Sequence, residues 1–145
     1  MPVEPGVVDA NVLILRLRYE GRTACIIPCV LLDEARRGAT TLYVTSQVLC
    51  EFFSIVTKAR RVVKPRTSAD ALTAISDLLG FLRVLPFPVA AVDELMALLR
   101  RRPVTGGEIF DLQIVATMKL KGIFRIHTFN VDDFKPFQEI EALKP

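Results

Sequence analysis

The sequence predicts an α/β protein in which a mostly parallel central sheet is flanked by helices on both faces. Short β-branched or apolar stretches alternate with longer stretches of helical periodicity along the chain, which is typical of strands joined by crossover helices. No two strand-like stretches are joined by a hairpin turn signal. A chain of 145 residues with 51% hydrophobic residues can bury one core, so we expect a single domain over residues 1–145.

The first half of the chain contains two strand-then-helix units. A buried strand is predicted to end at Asp9, followed by a helix over residues 12–17 that Asp9 or Asn11 can cap. A second helix ends at Gly38 after two basic residues. A strand over 41–45 then precedes a helix that runs to about residue 60, capped by Thr45 or Ser46.

The second half repeats this alternation. Helices are predicted over 69–82, 89–102 and 108–121, and strands over 84–87, over 123–129 and near Ile140. Gly122 is expected to end the last helix, and a turn follows at residues 130–134.

The composition of the chain indicates in which compartment the protein is found and which partners it can bind. The longest uncharged apolar run, residues 24–32, has nine residues, fewer than the roughly 20 that a membrane-spanning helix needs. The N-terminal stretch is acidic where a signal peptide would be basic, so we expect a cytoplasmic protein with no membrane contact. The three cysteines are expected to be buried reduced thiols. A net charge of +3 does not by itself indicate nucleic-acid binding.

Three acidic residues stand out because of where the elements place them. Asp9 follows a predicted strand, where open α/β sheets form their sites. Asp111 shares its helical face with Ile114, Val115 and Met118. A carboxylate on an apolar face needs compensation by a metal ion or a cationic partner.

Glu51 repeats this pattern between Val48 and Ile55. Oxygen ligands from separate elements suit Mg²⁺ or Mn²⁺, with phosphodiester hydrolysis as the natural chemistry. Each residue also has a simpler interpretation: Asp9 as a helix cap, Glu51 as a surface acid, Asp111 as the partner of an arginine at the edge of the core, and Asn130 as a turn former.

Four segments together resemble the PIN-domain family, in particular VapC-type toxins of toxin-antitoxin pairs. They are VVDANVLI, TSQVLCEFF, IFDLQIVATMKLKGI and HTFNVDDF, in family order. The resemblance implies a PIN-like three-layer α/β/α fold, endoribonuclease activity that depends on Mg²⁺ or Mn²⁺, a homodimer and inhibition by a cognate antitoxin.

Carried over by position, the resemblance makes Asp9, Glu51 and Asp111 the metal-binding and catalytic acids. Asn11, Ser46 and Thr128 would support them. Many PIN domains have an aspartate where this chain has Asn130, and either Asp132 or Asp133 can supply the missing charge.

RNA phosphates would contact basic clusters that include Arg60, Arg61, Arg100 and Arg101. His127 is expected to point outward from its strand and to serve packing rather than catalysis. Two alternatives are a catalytically weak or silent PIN-like RNA-binding module, suggested by Asn130, and a receiver-like phosphoacceptor domain. The second is disfavoured because the acids are spread over about 100 residues.

Overall fold

The computed structural model describes residues 3–18, 27–58 and 64–145, and its centre is one parallel sheet in the order β3-β2-β1-β4-β5. The sheet confirms the predicted fold class. Its strands are β1 (Gly6–Val8), β2 (Leu42–Thr45), β3 (Arg83–Leu85), β4 (Arg125–His127) and β5 (Glu141–Leu143).

Six α-helices and two 3₁₀ turns are found in the described residues. The helices are α1 (Ala10–Arg18), α2 (Ile27–Arg36), α3 (Ser46–Val56), α4 (Ser68–Leu79), α5 (Ala91–Arg101) and α6 (Ile109–Lys121). The 3₁₀ turns are Gly106–Glu108, before α6, and Val131–Phe134, after β4.

The strand order reverses direction between β1 and β4. From β1 the chain adds β2 and then β3 on one side, and it then crosses back to place β4 and β5 on the other side. Because crossover connections are right-handed, this reversal puts α1 to α4 on one face and α5 and α6 on the other. The contacts agree, since α1 packs on α2 and α3, α3 packs on α4, and α5 packs on α6. A crevice therefore opens beyond the carboxyl ends of β1 and β4.

Helix ends follow local side-chain chemistry. The Thr45 hydroxyl accepts a 3.1 Å hydrogen bond from the Val48 N–H and so caps α3. Gly122 ends α6 with φ of 68°, a left-handed conformation that glycine adopts at little cost. Of the two capping residues that the sequence allowed for α3, the structure uses Thr45.

The core fills both sides of the sheet. Val7, Val8, Val44 and Ile126 lie on the central strands with no exposed surface. The buried face of α6 includes Ile114, Val115 and Met118, as the helical pattern predicted; further large buried side chains are Leu13, Leu32, Leu42, Phe52, Leu112 and Phe134.

Three expectations differ from the structure. Helix α3 ends at Val56 rather than near residue 60. The next residue, Thr57, closes the helix because its hydroxyl donates a hydrogen bond to the Phe53 carbonyl. His127 is buried and not directed outward, because β4 is a central strand covered on both faces. Cys50 is an exposed free thiol on α3 and not a buried one, whereas Cys25 lies outside the described residues. None of the helices in the described ranges is long and apolar enough to span a membrane.

Candidate active site

Asp9 stands at the carboxyl end of β1, where the chain turns into α1. Its side chain is only 8% exposed, and its own N–H donates to the His127 carbonyl of β4. Oδ1 accepts a 2.7 Å hydrogen bond from the Ala10 N–H. Burial raises the pKa of Asp9, the hydrogen bonds from Thr128 and Ala10 lower it, and the charge of Asp133 raises it.

A polar network fixes the other oxygen of this carboxylate. Asp9 Oδ2 accepts from the Thr128 hydroxyl at 2.9 Å and from Asn11 Nδ2 at 3.4 Å. Asn11 Nδ2 also lies 3.1 Å from Thr128 Oγ1, and Asn11 Oδ1 accepts from the Phe129 N–H. The side chains of Asn11 and Thr128 thus tie the ends of β1 and β4 together and hold Asp9 in one orientation.

Asp111 lies in the first turn of α6 and is half-buried. The pKa of its carboxyl is raised to about 6, mainly by burial and then by the charges of Asp9, Asp133, Glu51 and Glu108 in that order. Four carboxylates therefore act on Asp111 from four different elements. Like charges gathered in this way favour either protonation or a bound cation.

Glu51 enters the same region from α3. Its Oε1 accepts a 2.8 Å hydrogen bond from Gln47 Nε2, one helical turn earlier. Burial raises the pKa of Glu51, the Gln47 hydrogen bond lowers it and the charge of Asp9 raises it. Gln47 Oε1 is buried without a hydrogen-bond partner in the described chain, so one polar oxygen beside Glu51 is left unsatisfied.

The structure distinguishes the three candidates for the fourth position of the site, Asn130, Asp132 and Asp133. Asp132 and Asp133 are both exposed, but the charge of Asp133 acts on Asp9 and Asp111, whereas Asp132 pairs with Lys135. The side chain of Asn130 is exposed, and its backbone N–H donates to Thr128 Oγ1. Of the three candidates, Asp133 is therefore the one that we expect at the fourth position.

Glu108 joins these acids although the sequence had not singled it out. It ends the 3₁₀ turn before α6, where its Oε2 accepts from the Thr105 N–H at 3.4 Å. A position three residues before Asp111 places it on the same helical face, which is the signal that could have found it. Ser46, by contrast, is exposed and makes no hydrogen bond to the acids within the described chain.

The side chains of the remaining predicted residues form no ion pair or hydrogen bond with Asp9, Glu51, Asp111 or Asp133 within the described chain, or they lie outside the described residues. His127 packs against Gly6, and burial lowers its pKa, with Arg125 lowering it further and Glu141 raising it. Arg101 pairs with Glu94 at 3.6 Å on α5, and Arg100 is exposed beside it. Arg60 and Arg61 fall outside the described residues.

The donor set fits a hard divalent cation, because carboxylates from the β1–α1 junction, α3, α6 and the turn after β4 act on one another. Among residues 3–18, 27–58 and 64–145, no three His, Cys, Asp or Glu side chains already form a ligand group. The fit of a divalent cation to this site therefore rests on the mutual repulsion of the carboxylates and on the oxygen ligands that they offer.

The class of this protein follows from two features, its α/β/α fold and the acidic residues at the crevice between β1 and β4. The PIN domain family model matches residues 6–140, so the chain is a member of the PIN-domain family. No curated protein sequence matches the chain significantly.

Solved structures with the same fold include several toxin-antitoxin proteins. VapBC2 from Rickettsia felis, bound to a DNA fragment from its promoter, has a TM-score of 0.70 at 16% identity and covers 97% of this chain and 98% of that chain. VapC20 from Mycobacterium tuberculosis, a Sarcin-Ricin loop cleaving toxin, has a TM-score of 0.63 at 16% identity, covering 96% and 98%. A toxin-antitoxin complex from Klebsiella pneumoniae has a TM-score of 0.60 at 16% identity, covering 97% and 99%.

Proposed function

We propose that this protein is a metal-dependent endoribonuclease that hydrolyses RNA phosphodiester bonds as the toxin of a toxin-antitoxin pair. The observation that carries the proposal is the convergence of Asp9, Glu51, Asp111 and Asp133 at the β1/β4 crevice, where burial and the charges of the other acids together raise the pKa of Asp111 to about 6. Membership of the PIN-domain family and the toxins among the structural neighbours support it.

Asp9, Glu51 and Asp111 would hold Mg²⁺ or Mn²⁺, with Asp133 as the fourth acid. Such an ion commonly keeps several waters and is held by one or two carboxylates together with substrate phosphate. When bound, it supplies charge neutralisation at the phosphate and lowers the pKa of an attacking water.

The chain's own residues would orient the reactants. Thr128 and Asn11 hold Asp9 through hydrogen bonds to Oδ2, which leaves little rotational freedom for its carboxylate. Asp111 is half-buried beside the other acids, and an oxygen in this position can accept a proton from water at the scissile phosphate.

The decisive experiment is cleavage of a structured RNA by the wild type, by Asp9→Asn and by Asp111→Asn, with Mn²⁺ or with EDTA. We expect cleavage to be lost in both variants and in EDTA. Asp77→Asn, an exposed acid on α4, serves as the matched control and should retain activity. Cleavage that survives in Asp111→Asn or in EDTA would refute the proposal.

A second candidate is a catalytically silent PIN-like RNA-binding module, favoured by Asn130 at a position where many family members carry aspartate. Calorimetric titration with Mn²⁺ separates the two functions. Saturable Mn²⁺ binding that Asp111→Asn abolishes supports the nuclease, whereas RNA binding without any Mn²⁺ binding supports the silent module.

The partners follow from the same proposal. Complexes with antitoxins among the structural neighbours support a cognate antitoxin for this chain. A homodimer is supported by apolar side chains exposed along one side of α5 and just before it, namely Val89 at 90%, Val92 at 45% and Met96 at 43%. Sedimentation of the wild type and of Met96→Glu tests the dimer, and an unchanged sedimentation coefficient would exclude α5 from the contact.

A further inference from the structure

A cavity separate from the acidic edge lies between α5, α6 and residues 136–140. Its volume is about 350 Å³, within the roughly 300–1,000 Å³ that small-molecule sites occupy. The floor is apolar and consists of Leu98, Val115, Phe137 and Ile140, each less than a tenth exposed. Such a floor suits a flat ring rather than a hydrated ion.

The rim of this cavity is mainly cationic. Arg101, Arg102 and Lys119 line it, against the single carboxylate of Glu139. Lys119 contacts Glu94 at 2.6 Å and Glu139 at 3.6 Å, and Arg101 reaches Glu94 at 3.6 Å. Arg102 makes no ion pair within the described chain, so its guanidinium is available to an anionic group of a ligand.

The cavity shares two walls with the acidic site. On α6, Asp111, Val115 and Lys119 follow one another at intervals of four residues and so form one ridge of the helix. This ridge is about 12 Å long at a rise of about 1.5 Å per residue. The opposite wall, residues 136–140, follows directly after the turn that carries Asp133.

The packing of α5 on α6 also sets the orientation of the cavity. Glu94 contacts Lys119 near the C-terminal end of α6, and Leu98 and Val115 line the cavity together. The two helices therefore run antiparallel, which brings the backbone of Arg101 and Arg102 level with the turn of α6 that carries Asp111, while the Arg101 guanidinium reaches back to Glu94 near Lys119. The unpaired cation lies at the end of the cavity nearer the acids.

We infer that this cavity is a nucleotide subsite that binds one nucleotide of the substrate strand beside the scissile phosphate. The apolar floor takes the base, and Arg102 contacts the phosphate. Bases of single-stranded RNA bind in this manner, by contact with apolar and aromatic side chains next to basic groups. The inference rests on the proposed nuclease function for the identity of the substrate.

The test uses the whole chain, labelled with ¹³C at methyl groups and titrated in EDTA with adenosine 3′-monophosphate or uridine 3′-monophosphate. We expect shift changes at the methyl groups of Leu98, Val115 and Ile140. Adenosine alone and inorganic phosphate alone should bind at least about tenfold more weakly than the nucleotide, because each fills only part of the cavity.

Arg102→Glu and Lys121→Glu form a matched pair, since each reverses one exposed positive charge and only Arg102 lines the cavity. We expect Arg102→Glu to weaken nucleotide binding at least about tenfold and Lys121→Glu to weaken it less than about twofold. Melting temperatures close to the wild type verify that both variants fold. Equal weakening in the two variants, or shifts only near Asp9 and Asp111, would overturn the subsite.

The outcome is independent of catalysis, because binding is measured without metal. If RNA is cleaved but the nucleotide does not shift the cavity methyl groups, the subsite is refuted and the nuclease stands. If the nucleotide binds in the cavity and no RNA is cleaved with Mn²⁺, the nuclease proposal fails and the chain retains a nucleotide-binding cavity.

Discussion

The Thr128 hydroxyl donates a 2.9 Å hydrogen bond to Asp9 Oδ2, joining two residues that are 119 positions apart in the chain. The bond crosses the crevice between β1 and β4, and Thr128 has no exposed surface. The same oxygen of Thr128 lies within hydrogen-bond distance of Asn11 Nδ2 and the Asn130 N–H. One hydroxyl therefore sets the position of the first acid and of the turn that leads to Asp133.

Thr128→Val should lower the affinity for Mn²⁺ by about tenfold or more, because residues that orient a ligand contribute on this scale. The substitution keeps the side-chain shape but removes the donor to Asp9. Thr117→Val is the matched control, since Thr117 is equally buried on α6 and its hydroxyl donates only to the Gln113 carbonyl. Calorimetry measures both affinities, and equal losses would show that Thr128 has no special role.

Acidification should stabilise the metal-free protein through Asp111. The pKa of this carboxyl is raised from 3.8 to about 6 in the fold, so the folded state takes up its proton more readily than the unfolded state. The stabilising contribution is complete below pH 3.8 and is lost as the pH rises through about 6. Asp111→Asn should therefore raise the melting temperature in EDTA at about pH 7, where the carboxylate is ionised.

The measurement is the difference in melting temperature between the wild type and Asp111→Asn, taken from about pH 4 to pH 7. The titration of other groups largely cancels in this difference. We expect the advantage of the variant to grow with pH. Asp77→Asn, which removes an exposed acid on α4, serves as the control for the loss of one carboxylate. A difference for Asp111→Asn that does not change with pH would mean that the fold does not raise the pKa of Asp111.

Asp133 and Asp132 are neighbours with different expected roles. Asp133→Asn should weaken Mn²⁺ binding by about tenfold, since it removes a charge that acts on Asp9 and Asp111. Asp132→Asn should change it by less than about twofold, because an exposed ion pair such as that with Lys135 contributes little. The reverse order of effects would place Asp132 at the fourth position of the site.

Gly6→Ala tests the packing of His127 inside the sheet. A Cβ atom at Gly6 would lie 2.9 Å from His127 Nε2 and 3.0 Å from Cδ2, so we expect a loss of about 1–3 kcal/mol in the free energy of unfolding. Gly107→Ala is the control, because a Cβ there meets nothing within 4 Å.

Combining Gly6→Ala with His127→Ala should recover part of the loss expected for Gly6→Ala, since the clashing ring is gone. Chemical denaturation of the single and double variants gives the coupling energy. Strictly additive losses would show that the imidazole and the glycine do not compete for the same space.

The periodicity of the chain was sufficient to predict the order and type of the elements. Each of the five strands lies within or beside a predicted one, because buried parallel strands are short apolar runs between helical stretches. Boundaries were less predictable. Strand β4 pairs over only three residues, Arg125 to His127, although β-branched and aromatic residues extend on both sides.

The orientation of His127 could not be predicted from its own strand. Alternation within residues 123–129 separates the two faces of β4 but does not show whether the second face is covered. That depends on the crossing of the chain from β3 to β4, which makes β4 a central strand. Cys50 differs in the opposite direction, because it is exposed on α3 although its neighbours in the sequence are mostly apolar.

The acidic site was predictable in outline because Asp111 stands on an apolar helical face. The assignment of the fourth acid was not, because Asp132 and Asp133 are adjacent and only the geometry of the Val131–Phe134 turn determines which one faces the acids. Glu108 was not singled out, although its position three residues before Asp111 at the start of the predicted helix was the available signal.

The strand order has a consequence for synthesis on the ribosome. Asp9 emerges early, but the partners that orient and complete its site, Thr128 and Asp133, are added more than a hundred residues later. A nascent chain that has produced only β1 to β3 cannot assemble the crevice, since β4 is one of its two walls. A chain that ends before β4 therefore lacks Thr128 and Asp133, and the complete acidic edge forms only after β4 has paired with β1.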